Sequence, residues 1–437
     1  MGIFKAYDIR GVYPVELDEE IVYKIGRAVV LLLNPRNVVI GRDCRTSSPK
    51  LADALSRGVR DQGADVIDIG LASSPLFYAA VAKGGYDAGV MLTASHNPKQ
   101  YNGCKIVREK AIPVGYDDGI RRIEEMIKMS LPLPPIKKGS ITRKEVLGDY
   151  AKHVLSICGS IGDLRVVVDS ANGMAGYTFP PIYAQFPLKV THLYKDLDGT
   201  FPNHEPDPLN VENLRDLQAA VKKEKADVGL AFDADADRVI MVDEKGDVVP
   251  ADLILVLLGK ELSIVDPKAR IIYDCRSSQV IAEEFGARAI RHRVGHAFIK
   301  KSMRKDDVAL GGEISGHFYF RDAFFTDDAV VAALKLLHIL SKRTKPLSEL
   351  IQPYQRYARS GETNFHVPDP KASVERVAKE FKDLRQDRMD GVTIWGVDWW
   401  TNVRPSNTEP LLRVCAEAKD KKLLDEIMAK IVEIIEK

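Results

Sequence analysis

The sequence lacks the cysteine pattern expected of a disulfide framework. Its five cysteines, Cys44, Cys104, Cys158, Cys275 and Cys415, are scattered, odd in number and never paired as C-x-x-C. That usage argues against a structural zinc site as well and points to a reducing compartment, so a cytoplasmic location is expected. Long apolar runs are missing too. The longest, near 28–33 and 253–258, fall far short of the roughly 20 residues that a membrane-spanning helix requires, and charged residues flank both. The first eight residues carry two charges and no apolar run, and are expected not to form a signal peptide. Nor is there an excess of charge of one sign: Lys and Arg number 63 against 62 Asp and Glu, a net charge of +1. Neither nucleic acid nor membrane is therefore an expected partner. What remains, 437 residues with 45% hydrophobic and 29% charged, describes a soluble chain too long for one core.

Apolar periodicity switches repeatedly between strand and helix. A helix is expected over 19–33, a strand over 38–40, a helix over 49–60 capped by Ser48, a strand over 66–69, a helix over 75–83 and a strand over 89–92. This alternation implies βαβ units and a mostly parallel or mixed sheet. The pattern restarts after a helix expected over 144–157, with a strand at 165–169 and Ser170-Ala171-Asn172-Gly173 opening a helix. It restarts again after a helix at 251–262, with a strand at 270–274. Asp43-Cys44-Arg45-Thr46-Ser47 and Asp274-Cys275-Arg276-Ser277-Ser278 stand at equivalent points of the alternation. Three related α/β domains are expected, over 1–143, 144–248 and 249–357. A smaller α+β domain is expected over 358–437.

Four loops hold residue types suited to chemistry. Thr93-Ala94-Ser95-His96-Asn97-Pro98 follows a strand, where ligands gather in parallel sheets. Ser95 can carry a phosphate ester, yet alone the loop reads first as a turn, Asn-Pro being a common turn dipeptide. In Asp233-Ala234-Asp235-Ala236-Asp237-Arg238, three carboxylates at alternate positions between apolar strands repel unless a hard cation takes an oxygen from each. An EF-hand is the rival, with Glu244 at its twelfth place, but Arg238 stands where that motif needs glycine and the flanks read as strands. Gly311-Gly312-Glu313-Ile314-Ser315-Gly316-His317 follows a strand expected at 308–310. It offers acceptors and a hydroxyl suited to sugar hydroxyls, and reads equally as a glycine-rich connection. Arg404-Pro405-Ser406-Asn407-Thr408-Glu409-Pro410 gathers a guanidinium, two hydroxyls and an amide, the inventory of a phosphate cradle or of a surface loop.

Taken together and in this order, the four motifs resemble those of the α-D-phosphohexomutase family along essentially the whole chain. T-A-S-H-N-P resembles its phosphoserine loop, D-x-D-x-D-R its magnesium loop, G-E-x-S-G-H its sugar-recognition loop and R-x-S-N-T-E-P its phosphate-binding loop. The resemblance implies one Mg2+ on Asp233, Asp235 and Asp237 with Ser95, and a central cleft between four domains. It implies catalytic roles near the transferred phosphate for Ser95, Arg10, His96, Lys105, Arg238 and His296. Glu313, Ser315, His317, Arg276, Arg404, Ser406, Asn407 and Thr408 would bind substrate. Arg276 replaces a lysine of the family and keeps the charge without serving as a base. Thr93 and Ile314 favour the phosphomannomutase/phosphoglucomutase branch over the phosphoglucosamine branch. The implied partner is a hexose phosphate and the implied activator a sugar 1,6-bisphosphate; oligomeric state is left open. A hydrolase using the same site, and a sugar-phosphate sensor without turnover, are the rivals from other classes.

Overall fold

Runs of β-branched residues bounded by Gly, Asp and Asn build the strands, and amphipathic stretches between them build the helices. The computed structural model describes residues 2–406 and 411–436. The first sheet holds β1 (Ile9–Val12), β2 (Asn37–Arg42), β3 (Asp65–Leu71), β4 (Ala88–Leu92), β5 (Tyr101–Arg108) and β6 (Ile141–Arg143), in the order β1-β5-β4-β2-β3-β6. β2 runs parallel to β3 and β4, and β5 antiparallel to β1 and β4. The second sheet holds β7 (Leu164–Asp169), β8 (Leu188–Leu193), β9 (Val228–Phe232), β10 (Val239–Asp243) and β11 (Val248–Val249), in the order β11-β10-β9-β7-β8. The third holds β12 (Ile271–Asp274), β13 (Ala289–His292), β14 (Leu310–Gly312), β15 (Phe318–Phe320) and β16 (Thr326–Asp327), in the order β13-β12-β14-β15-β16.

One arrangement recurs in all three. A central strand (β2, β7 or β12) pairs in parallel with the first strand of a hairpin, β4–β5, β9–β10 or β14–β15. The hairpin loops are residues 93–100, 233–238 and 313–317, so three of the four loops singled out above occupy the same topological place. Each begins at the carboxyl end of a parallel-paired strand, where side chains of a twisted sheet face a crevice rather than a neighbouring strand.

The fourth sheet is antiparallel, with β17 (Ala358–Phe365), β18 (Arg385–Asp387), β19 (Val392–Gly396), β20 (Trp399–Pro405) and β21 (Leu412–Ala418) in the order β17-β21-β20-β19-β18. Helices Pro370–Glu380 and Lys421–Ile435 cover it, and Val377, Ile394, Val403, Val414 and Ile431 form a separate core. The first three domains instead share a continuous core, in which Phe77, Val166, Leu230, Leu255 and Leu334 are all buried. Among the described residues no helix is long and apolar enough to cross a membrane.

Several sequence expectations shift. The helix Ser48–Asp61 starts one residue earlier than expected, so Ser48 is not its cap; its hydroxyl donates to Asp43 Oδ1 at 2.6 Å. The helix expected from 144 begins at Leu147, because residues 141–143 are taken up as the edge strand β6. No helix opens at 170–173: Ala171 and Asn172 both adopt left-handed backbone, with φ of 46° and 57°, which breaks helical continuation. Only the short helices Ala175–Thr178 and Pro180–Tyr183 follow. The strand expected at 308–310 is instead Leu310–Gly312. Gly311 and Gly312 thus belong to β14, where a Cβ on Gly312 would stand 2.9 Å from the Leu255 side chain, and their smallness serves packing rather than a ligand.

Candidate active site

The buried strand β4 delivers the chain to Thr93, whose Oγ1 accepts the Ser95 N–H at 3.0 Å. Asn97 N–H returns to the Ala94 carbonyl at 3.1 Å, so the segment is a turn as its Asn-Pro suggests. The turn holds Ser95 at φ 48°, a left-handed conformation that costs a non-glycine residue about 1–2 kcal/mol and marks a site where the surroundings impose geometry. Ser95 is buried, and its Oγ donates to Asp233 Oδ2 at 2.8 Å across 138 residues of sequence. His96 Nδ1 lies 3.3 Å from the same hydroxyl.

The β9–β10 hairpin folds its acidic tip back on itself. Asp233 Oδ1 accepts the backbone N–H groups of Asp237 and Arg238, at 3.1 and 3.2 Å. Asp235 Oδ2 receives Ser74 Oγ and Lys105 Nζ, both at 2.6 Å, and Lys105 also donates to Asp237 Oδ2 at 2.5 Å. Asp235 Oδ1 and Asp237 Oδ1 are buried with no hydrogen-bond partner among the described residues. Each of the three aspartates can place one carboxylate oxygen within 4.8 Å of the others. Buried acceptors are almost always satisfied, so two idle carboxylate oxygens in an all-oxygen cluster match a hard divalent cation. Electrostatics agree. Burial, and after it Asp237 and Asp235, pushes the Asp233 carboxyl well above its usual range. Burial also opposes ionisation of Asp237, yet Lys105, His317 and Arg238 hold that carboxyl well below. The EF-hand alternative is excluded: strands flank the loop, and Glu244 turns away to accept Ser348 Oγ at 2.5 Å.

Around this pair of loops stand the other predicted residues. Arg10, on β1, donates to Asp8 Oδ2 at 2.8 Å, to Asn97 Oδ1 at 2.6 Å and to the Ala94 carbonyl at 3.3 Å, clasping the serine loop. Arg238 Nε donates to His317 Nε2 at 3.2 Å, and the backbones of these two residues form an antiparallel bridge between the second and third domains. Glu313 is buried, with Oε1 accepting Gly295 N–H at 2.9 Å and Oε2 accepting the Tyr319 hydroxyl at 2.5 Å. Each of its oxygens keeps a further lone pair. Ser315 Oγ is 2.9 Å from His317 Nδ1. His296 is the first residue of helix His296–Asp306, and neither of its ring nitrogens has a hydrogen-bond partner among the described residues. Burial, then Lys300 and Lys105, hold it neutral; burial, Arg238 and Arg10 do the same for His96.

The terminal domain supplies a cationic wall. Arg404 Nη2 and Arg276 Nη1 donate to Glu362 Oε2 at 2.8 and 3.0 Å, and Arg413 Nη1 donates to Oε1 at 3.1 Å. Arg404 is buried and its Nε has no partner among the described residues. Ser406 N–H donates to the Leu411 carbonyl at 2.8 Å. Asn407 and Thr408 lie outside the described residues. Guanidiniums are the donors that hold phosphate in forked pairs, and they gather where the sequence suggests a cradle, Arg276 being paired with Asp274 as well, at 2.8 Å. Burial would raise the Glu362 carboxyl, but Arg276, Arg404 and Arg413 prevail and bring it from 4.5 to about 2. A lowered folded-state value means that the stabilisation is complete above 4.5 and is lost as pH falls toward 2. Glu362→Gln should therefore flatten the acid limb of stability over that window, by about 3 kcal/mol relative to the parent. Urea unfolding at a series of pH values measures it, and parallel acid limbs would remove Glu362 from the junction.

Sequence reasoning did not find Glu362, Arg413 or Ser74. Ser74 tethers the acidic loop to the first domain twice, through its hydroxyl and through its N–H to the Asp235 carbonyl at 2.9 Å. In sequence it is only one of two serines before Pro75.

Comparison with known proteins gives the same answer throughout. Residues 1–131, 148–246 and 250–357 match the phosphoglucomutase/phosphomannomutase alpha/beta/alpha domains I, II and III, and residues 362–434 match the C-terminal domain of that family. A phosphomannomutase of Methanocaldococcus jannaschii is 37% identical, over 100% of this chain and 98% of its own. A phosphomannomutase/phosphoglucomutase of Pseudomonas syringae is 39% identical, over 97% and 93%. The crystal structure of a phosphoglucomutase/phosphomannomutase family protein from Burkholderia thailandensis superimposes with a TM-score of 0.90 at 31% identity, covering 99% of this chain and 96% of that one. Four domains in the family's order, and likeness sustained from end to end, carry one conclusion: the chain belongs to the phosphoglucomutase/phosphomannomutase family of α-D-phosphohexomutases.

Proposed function

We propose that this phosphohexomutase moves a phosphoryl group reversibly between the 1- and 6-positions of mannose or glucose phosphates. Ser95 is the carrier and a sugar 1,6-bisphosphate the intermediate and activator. The approach of Ser95 Oγ to Asp233 at 2.8 Å, beside two unpartnered carboxylate oxygens, carries the reading. Asp233, Asp235 and Asp237, with Ser95, would hold Mg2+, which when bound neutralises negative charge on phosphoryl oxygens.

A sugar monophosphate rests its phosphate on Arg404, Ser406, Asn407, Thr408 and Arg276, while Glu313, Ser315 and His317 accept or donate to its hydroxyls. Phosphorylated Ser95 yields its phosphoryl group to the free hydroxyl at the far end. The bisphosphate then turns over within the cleft and returns its original phosphate to Ser95. Such transfers depend on positioning and charge stabilisation, for which Arg10 and Arg238 supply guanidinium donors. The attacking hydroxyl must lose a proton and the departing oxygen must gain one, so the first transfer moves one proton from sugar to serine and the return transfer moves one back. His96 and His296 are neutral and so have a lone pair to receive it, although their buried, cation-flanked settings make both weak bases. Lys105 has none: burial would lower it, but Asp235 and Asp237 keep it an ammonium ion.

Glucose 1-phosphate and mannose 1-phosphate, with a trace of bisphosphate, should give the 6-phosphates without free phosphate. Stoichiometric inorganic phosphate would identify a hydrolase instead. Parallel assays with glucosamine phosphate test the choice of branch. Arg404→Ala should raise the KM for the sugar phosphate roughly 10–100-fold, the loss of one charge-assisted contact. An unaltered KM would remove Arg404 from the cradle.

A further inference from the structure

The Asp-Cys-Arg turns of the first and third domains close identically. Asp43 Oδ1 accepts the Arg45 N–H at 3.0 Å and Asp274 Oδ1 the Arg276 N–H at 2.7 Å. Each arginine Nε then returns to its own aspartate, at 3.1 and 3.3 Å. The second domain keeps the turn without the guanidinium, Asp169 Oδ1 accepting the Ala171 N–H at 2.8 Å. The two arginines have different targets. Arg276 reaches the terminal domain through Glu362. Arg45 turns inward beneath the serine loop.

Its Nη1 donates to the carbonyls of Pro98 and Tyr101, at 2.8 and 3.2 Å, and its Nη2 to those of Ser95 and Asn97, both at 2.6 Å. With Nε on Asp43, all five donors are committed. The side chain is 1% exposed, and none of its donors faces the cleft. Three carbonyls of the serine loop, that of the left-handed Ser95 among them, and that of Tyr101 at the start of β5 thus converge on one planar cation. The second domain seals this arrangement from the other side. The Phe201 ring lies 5.0 Å from Arg45 Cζ. Gly199 packs so tightly that a Cβ would stand 2.3 Å from the Cys44 carbonyl oxygen, 2.6 Å from Arg45 Cα and 2.7 Å from Thr46 N. All three are atoms of the main chain of residues 44–46, which cannot swing aside as a flexible side-chain tip can.

We infer that Arg45 is a positioning residue: its guanidinium fixes the carbonyls of residues 95–101 so that Ser95 keeps its left-handed backbone and presents Oγ to the acidic loop, and the 199–201 segment of the second domain holds Arg45 in place. The inference rests on Ser95 being the phosphoryl carrier. It acts through geometry alone, so it moves the chemical step rather than substrate binding.

Two variants test it. Arg45→Lys keeps the charge and loses the fork, since one ammonium cannot serve four carbonyls and Asp43. Gly199→Ala alters no polar group and pushes on the turn that carries Arg45. Displacing a reacting group by about 1 Å costs on the order of 10²-fold. Arg45→Lys should therefore lower kcat, and the single-turnover rate of phosphoryl transfer from phosphorylated Ser95, about 10²-fold, with KM unchanged; Gly199→Ala should lower both about tenfold. A purely structural role would lower thermal stability and leave the rate per folded molecule as it was. Wild-type single-turnover rates in both variants, or a raised KM at constant kcat, would overturn the inference. If Arg45→Lys does not fold, Gly199→Ala decides alone. Retained activity in Ser95→Ala would sink the carrier assignment instead, so the two failures are distinguishable.

Discussion

Turnover of the Ser95→Ala variant should fall by on the order of 10⁶-fold, the scale on which removal of a covalent nucleophile acts. The substitution deletes one oxygen and little else. Alanine carries the same left-handed backbone penalty as serine, and the Thr93 and Asn97 hydrogen bonds that shape the turn do not involve the serine hydroxyl. The fold should therefore persist. Intact-mass measurement provides the second readout: the parent should carry one phosphate after exposure to a sugar bisphosphate, and the variant none. Residual turnover near the parent's would mean that another side chain carries the phosphoryl group, with Asp233 at 2.8 Å and His96 at 3.3 Å from the hydroxyl the nearest alternatives.

Asp235→Asn should have the next largest effect. Asp235 Oδ1 is one of the two idle carboxylate oxygens, and Oδ2 already serves Ser74 and Lys105. An amide there is nearly isosteric but removes one negative charge from a site whose affinity for a hard cation depends on charge count. Loss of a residue that merely supports a metal ligand typically weakens binding about 10–100-fold, so loss of a ligand should exceed that. Titration calorimetry with Mg2+ reads the change without reference to activity. kcat at saturating Mg2+ should fall roughly 10²–10³-fold, as when one preorganised electrostatic contact is removed. Unchanged Mg2+ affinity would show that the cation binds elsewhere.

The legible parts of this protein are those whose chemistry is contiguous in sequence. Three aspartates at alternate positions between apolar strands announce a hairpin with an acidic tip, and the tip lies where that pattern puts it, between β9 and β10. Thr93 to Pro98 was readable alone only as the turn it is, and its chemistry came from the resemblance of the four motifs together. Illegible parts are those in which a residue's meaning lies in distant partners. Glu362 sits on an ordinary edge strand, and only folding brings Arg276 to it from 86 positions away. Arg45 was visible as half of a repeated turn, but nothing local told that its guanidinium faces the carbonyls of residues 95–101 while Arg276 faces another domain. Where local reading failed, backbone conformation was the cause. Ser170 to Gly173 has the composition of a helix start, yet the Asn172 N–H is drawn to the Tyr194 carbonyl at 2.9 Å and the chain bends instead. Gly311 and Gly312 read as loop because glycine is a poor strand former, and neighbouring strands paired them regardless.

The acidic hairpin belongs to the second domain, but its tethers do not. Ser74 and Lys105 hold it from the first domain, and His317 reaches Arg238 from the third. A cation held by Asp233, Asp235 and Asp237 with Ser95 would join the second domain to the first, and by mass action its concentration would govern how firmly those two cohere. The terminal domain is anchored instead to the third, through Glu362 to Arg276, Glu417 to Ser278 and Asp387 to Arg291, so it meets the acidic hairpin only by way of that neighbour.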